Sequence, residues 1–216
     1  MMTLLGARLV IGSETVDGRK LDEATMKRLT GGDELTARRL YSAPVTWQPS
    51  HQLLYVTNSL PKVKGNDPAV WRRLRVVPFE VVVPVEQRDP GLPERLTLHA
   101  DAILSWVVAG HFDYEDNGGM RDPASVIRAT GDYQADSDDV ARFVDEVCEV
   151  GPQVHANTRE LYGAWQRWAQ GNAEPMTERA LGKELDRLGY EARKTKTGAR
   201  RVGLALPLND TEERQW

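Results

Sequence analysis

Two short apolar runs, each ending in a polar side chain, constrain this chain more than any other feature. The first, Arg8-Leu-Val-Ile-Gly-Ser-Glu14, ends in an acid; the second ends in Thr57-Asn58. Residues 7–12 and 53–57 have the length and apolar character of buried strands. Between them lies Lys27-Arg-Leu-Thr-Gly31-Gly32-Asp33-Glu-Leu-Thr-Ala-Arg38-Arg39-Leu-Tyr41, and beyond them the pair Arg72-Arg73. An acid at one strand end, an Asn at the next and arginines beyond is a layout suited to handling phosphate, with a cationic and aromatic hairpin inserted. A Gly-rich phosphate loop, G-x-x-x-x-G-K-[ST], occurs nowhere in the 216 residues.

Charge supports an anionic partner, because the net value of −4 hides a segregation. Residues 1–80 carry 12 Lys/Arg against 8 Asp/Glu, residues 81–155 carry 5 against 15, and residues 156–207 carry 10 against 6. Two basic lobes thus flank an acidic connector. No uninterrupted apolar stretch approaches the ~18–20 residues of a membrane span, so no membrane partner is expected. The amino end has no basic region before its apolar residues and does not read as a signal peptide; a cytoplasmic location is expected. A single cysteine, Cys148, excludes an internal disulfide and a Cys-rich metal site. The four His are scattered without metal-ligand spacing.

Along the chain, Asp22 to Leu29 fits a short helix stopped by Gly31-Gly32, and Glu34 to Trp47 fits two extended pieces around Ser42-Ala43-Pro44. Arg75 to Val83 reads as a further strand with Pro78 at an edge or bulge, and Leu96 to Val108 as a helix. Residues 113–123 have the turn formers and charge of a linker. Farther on, Val140, Phe143, Val144, Val147 and Cys148 share one helix face. Asn157 with Glu160 makes a capping box, and Thr177 caps a third helix ended by Gly189. Strands around Thr195–Gly198 complete three helices and a hairpin, the elements of a winged helix. The expected division is 1–110, an acidic linker 111–137, a winged-helix domain 138–207 and a tail 208–216.

The chemistry rests on few side chains. Glu14 at a strand end can hold a Mg²⁺-bound water or polarise the water that attacks a γ-phosphate. The amide of Asn58 can bond a γ-phosphate or orient that water without adding charge. Arg72 and Arg73 can stabilise charge developing on a phosphoryl group of a neighbouring subunit. Arg38, Arg39 and Tyr41 mix phosphate contact with base stacking. Arg193, Lys194, Lys196, Arg200 and Arg201 place five cations around one turn, with no acid between Ala192 and Asn209. Singly, each has a plainer reading, such as a solvated Glu, an Asn favouring a turn before proline or a basic surface edge. Their order and spacing set them apart.

In that order, Gly6 to Glu14, Leu21 to Asp33, Ala37-Arg38, Pro49, Thr57 to Pro61 and Trp71 to Phe79 resemble the carboxyl half of a superfamily 3 helicase. The resemblance is to the phage and plasmid primase-helicases related to the poxvirus type, and it covers roughly residues 6–80. It implies an α/β fold: a partial AAA+-type core with an incomplete parallel sheet, followed by the winged helix. It also implies a homo-hexameric ring that binds ATP and Mg²⁺ and translocates on single-stranded or forked DNA in replication. Glu14 then matches the Walker B acid, with Mg²⁺ held through water, and Asn58 the sensor. Arg73, or else Arg72, matches the arginine finger, while Lys27 to Tyr41 match the segment leading into a pore hairpin.

The missing loop implies a truncated or split phage or prophage product, its loop lying upstream of Met1 or on a partner chain, and weak ATP binding by these residues alone. The rival expectations are a non-enzymatic winged-helix DNA-binding module and an assembly partner of a helicase ring.

Overall fold

The structure, a computed structural model, describes residues 1–14, 20–63, 67–195 and 198–207; of Glu14 and Thr195 it describes the backbone. The described chain is mixed α/β, with helices and three small sheets. It divides into two compact units, Met1–Arg73 with Tyr133–Trp216, and Leu74–Asp132. This differs from the expected boundaries at about 110 and 137.

In the first unit, β1 (Leu9–Glu14) pairs in parallel with β4 (Gln52–Thr57), from Leu9 opposite Gln52 to Glu14 opposite Thr57. Gly12 lies opposite Tyr55, and a Cβ there would come within 3.0 Å of the tyrosine ring. The two runs form strands as expected, but the expectation that they are buried does not hold. Ile11 is 62% exposed, and Leu9, Leu53, Leu54, Tyr55 and Val56 are exposed too. The reason is that no third strand joins this sheet among the described residues. Apolar parallel strands are suited to cover on both faces.

Between these strands, α1 (Glu23–Thr30) is capped by Asp22, whose carboxylate accepts from the Thr25 amide at 3.0 Å. The hairpin of β2 (Leu35–Ala37) and β3 (Val45–Trp47) follows, with Leu35 opposite Trp47 and the Thr36 and Thr46 hydroxyls 2.8 Å apart. After β4 comes the short α2 (Pro68–Trp71), with Asp67 as N-cap and Pro68 at the first helical position. Met26, Val63, Val70 and Trp71 are the buried apolar side chains of this part besides Leu35.

The second unit holds α3 (Leu92–Leu98), α4 (Ala100–Asp116) and most of α5 (Ala124–Asp136). Two expectations change here. Arg75–Val83 forms no strand: Pro78 lacks a donor, and Val76 gives its amide to the Thr130 hydroxyl (2.9 Å) instead of to a ladder. The stretch read as a linker, 111–137, carries the end of α4 and all of α5, so it is largely helical.

The carboxyl-terminal part contains the best-developed core. Its elements are α6 (Asp139–Val147), β5 (Glu149–Asn157), α7 (Thr158–Asn172), α8 (Glu178–Arg187), β6 (Ala192–Thr195) and β7 (Gly198–Ala205). The three strands form an antiparallel sheet in the order β5-β7-β6. Both expected caps are present: Asn157 and Glu160 close a capping box on α7, and the Thr177 hydroxyl accepts from the Ala180 amide at 3.2 Å. Phe143, Leu161, Trp165, Leu181, Leu185 and Leu204 are fully buried in one cluster, where Phe143 meets Trp165 edge-on at 5.4 Å. Strand β5 escaped the sequence reading because Gly151-Pro152 and a register shift between Val150 and His155 break its alternation.

Truncating Phe143 to Ala is expected to cost about 3–5 kcal/mol, read by chemical denaturation; a loss under about 1 kcal/mol would contradict this core assignment.

Candidate functional site

The parallel register places Glu14 and Thr57 side by side at the carboxyl ends of adjacent strands, and Asn58 follows directly. In open α/β sheets this end of the strands is where ligands collect, since loops leave the layer there. The turn that presents Asn58 is built locally. The Thr57 hydroxyl donates to the Ser59 carbonyl at 2.6 Å and accepts from the Ser59 amide at 3.2 Å. Asn58 itself is exposed.

The two arginines have different surroundings. Arg73 donates from its guanidinium to the Ala69 carbonyl, and its Nε is buried without a hydrogen-bond partner. Arg72 caps the end of α2 through its backbone amide, bonded to Pro68, while the residue is exposed. Of the two, Arg72 is the more accessible.

Lys27, expected in a DNA-facing segment, forms an ion pair with Asp67 and so ties α1 to the N-terminus of α2. Its hydrogen bond is the main reason the Asp67 carboxyl lies below its usual range, with the Ala69 amide adding to the effect. Arg38, Arg39 and Tyr41, by contrast, stand exposed at the hairpin tip. Tyr41 is 98% exposed and holds φ at 62°, a conformation that costs energy for a bulky side chain.

In the basic hairpin, Arg193 and Arg200 are cross-strand partners and Lys194 lies opposite Ala199; all three cations are exposed. Arg200 also meets His155 Nε2 at 3.0 Å. Lys196 lies outside the described residues. Arg201 is a correction. It is only 4% exposed, and it donates to Asp186, to the Tyr190 carbonyl at 2.7 Å and to the Gly182 carbonyl at 3.0 Å. It therefore clamps α8 to the sheet instead of facing a ligand. Arg159, Arg167, Arg179 and Lys183 are exposed cations on α7 and α8 that the sequence reading passed over. The buried spacing of Leu181 and Leu185 could have found the α8 pair on the opposite face.

No protein-family model matches the chain. Three relatives do. It is 29% identical over 194 residues to "Putative helicase 022R" of Frog virus 3, covering 81% of this chain and 20% of that protein. It is 27% identical over 172 residues to "Putative helicase L207/L206" of Acanthamoeba polyphaga mimivirus, covering 71% and 18%. A shorter match, 32% over 94 residues, reaches "Putative helicase 184R" of Invertebrate iridescent virus 6, covering 42% and 10%. These similarities support a helicase-related family. The chain spans a fifth or less of the length of these relatives.

Among the described residues no group of three or more His, Cys, Asp or Glu is arranged to hold a metal ion, and no helix is long and apolar enough to cross a membrane.

Replacing Lys27 by Met is expected to raise the Asp67 pKa toward the ordinary carboxylate value, followed by carboxyl ¹³C shifts during an acid titration. The sign follows from the direction of the shift. A depressed folded pKa gives stability that is present above the unfolded value and lost as pH falls through the folded one. An unmoved Asp67 titration in the variant would contradict the pairing. Arg201→Gln should cost about 2–3 kcal/mol of stability, whereas Arg193→Gln should leave it within about 0.5 kcal/mol.

Proposed function

We propose that this chain supplies the carboxyl-terminal half of a superfamily 3-type, primase-helicase-like ATPase core, followed by a winged-helix domain that holds DNA. The observation that carries the reading is the register of β1 and β4, which brings Glu14 beside Thr57-Asn58 at the carboxyl ends of two parallel strands. Similarity to helicase-named viral proteins supports the same direction.

In this reading Glu14 is the Walker B acid. A lone carboxylate fits Mg²⁺ only as an outer partner, because Mg²⁺ keeps several waters and takes phosphate oxygens as ligands. Glu14 would thus hold a Mg²⁺-bound water, and the metal would neutralise charge on the β- and γ-phosphates. Asn58 would orient the attacking water or bond the γ-phosphate. The phosphate loop comes from outside these 216 residues, in a longer form of the chain or on a partner.

An arginine finger serves the adjacent subunit of a homo-hexameric ring. Arg72 suits that role better than Arg73, since its residue is exposed while the Arg73 guanidinium is engaged with α2. Arg38, Arg39 and Tyr41 form the pore contact with single-stranded DNA, where the aromatic ring stacks on a base.

The order α6, β5, α7, α8, β6, β7 and the sheet order β5-β7-β6 support the winged helix. Arg193, Lys194 and Arg200 form its basic hairpin. Arg201 belongs to its scaffold.

The test is fluorescence anisotropy of the full chain with labelled single-stranded, forked and blunt duplex DNA across a salt series. Single-stranded or forked DNA should bind more tightly than blunt duplex. Replacing Arg193, Lys194 and Arg200 by Gln should reduce the salt slope by about 2–3, since each lost phosphate contact removes roughly 0.7–0.9. Absence of salt-dependent binding to any of the three DNAs would contradict the proposal.

A further inference from the structure

The turn that carries Asn58 and the helix end that carries Arg72 meet at one side chain contributed from far along the chain. Tyr133, near the end of α5, donates its hydroxyl to the carbonyl of Pro61, three residues after Asn58. Its ring meets Trp71, the residue before Arg72, edge-on at 5.2 Å and 79°. Burial pushes the Tyr133 hydroxyl up to about 12, so it stays a protonated donor through the physiological range.

The surroundings make this a fixed point. Pro61 leads into Lys62, whose carbonyl accepts from the Leu21 amide at 2.9 Å, and Val63 is buried. On the other side, the Tyr133 carbonyl accepts from the Ser137 hydroxyl (2.8 Å) and amide (3.1 Å) at the entrance to α6. Asp138, which caps α6, receives two hydrogen bonds from Arg187 of α8. One residue therefore touches both segments assigned to the nucleotide side, and it stands at the base of the DNA-holding part.

We propose that Tyr133 is a positioning residue that sets the Asn58–Pro61 turn against the Trp71–Arg72 helix end. The proposal rests on reading Asn58 and Arg72 as nucleotide-side groups, but its geometry is testable without nucleotide. The hydroxyl and the ring have separate tasks. The hydroxyl fixes the turn through Pro61, and the ring fixes α2 through Trp71.

The experiment is residue-resolved hydrogen exchange on the full chain, comparing wild type with Tyr133→Phe and Tyr133→Leu. The Ser59 and Leu21 amides report on the turn and the segment after it, since they bond to Thr57 and Lys62. The Arg72 and Arg73 amides report on α2, since they bond to Pro68 and Val70.

Tyr133→Phe should speed exchange at Ser59 and Leu21 by about tenfold and leave Arg72 and Arg73 within about twofold. Tyr133→Leu should speed all four. Equal acceleration of all four in Tyr133→Phe would show general loosening and overturn the assignment, as would no acceleration at Ser59 and Leu21. Should Tyr133→Leu not fold, the Phe variant alone decides. With the split observed and no ATP turnover from a loop-completed assembly, the positioning stands and the proposed ATPase reading falls.

Discussion

The parallel pairing of β1 with β4 is the constraint on which the candidate site depends. Register decides which residues share a strand end, and a slip of one place would turn each side chain of one strand to the opposite face. With Glu14 opposite Thr57, an acid and the Thr-Asn turn arrive together at the end where loops leave the sheet. Among the described residues this is a two-strand ladder with exposed Leu, Ile, Val and Tyr side chains on it, an apolar pattern suited to cover on both faces.

The carboxyl-terminal part is built differently. It closes its own core around Trp165, Phe143 and Leu181, caps two helices with Asn157 and Thr177, and fixes α8 to the sheet through Arg201. Exposed cations lie on its hairpin and on α7 and α8. A well-packed cluster in one part and an exposed two-strand sheet in another account for the uneven burial across the described residues.

Some of this was legible from residues alone because the signals are local. The helix after Asp22, the capping box at Asn157 and the strands ending at Glu14 and Thr57 all follow from short-range patterns. What escaped depends on distant partners. Arg201 was grouped with its neighbours because five cations around a turn look alike in sequence. In the sheet, Gly203 takes φ of 88° and breaks the two-residue alternation, so that Arg201 and Leu204 both face inward. Arg75–Val83 had strand composition, but among the described residues no strand pairs with it. Lys27 looked like a free cation until Asp67, forty residues on, supplied its partner.

The most direct test of the central claim is steady-state ATP hydrolysis with Mg²⁺ and single-stranded DNA, by this chain joined to, or mixed with, a segment carrying the phosphate loop. Turnover stimulated by DNA and reduced at least about 100-fold by Glu14→Gln is expected for a catalytic acid. Turnover that survives Glu14→Gln unchanged would contradict the assignment of the strand-end site.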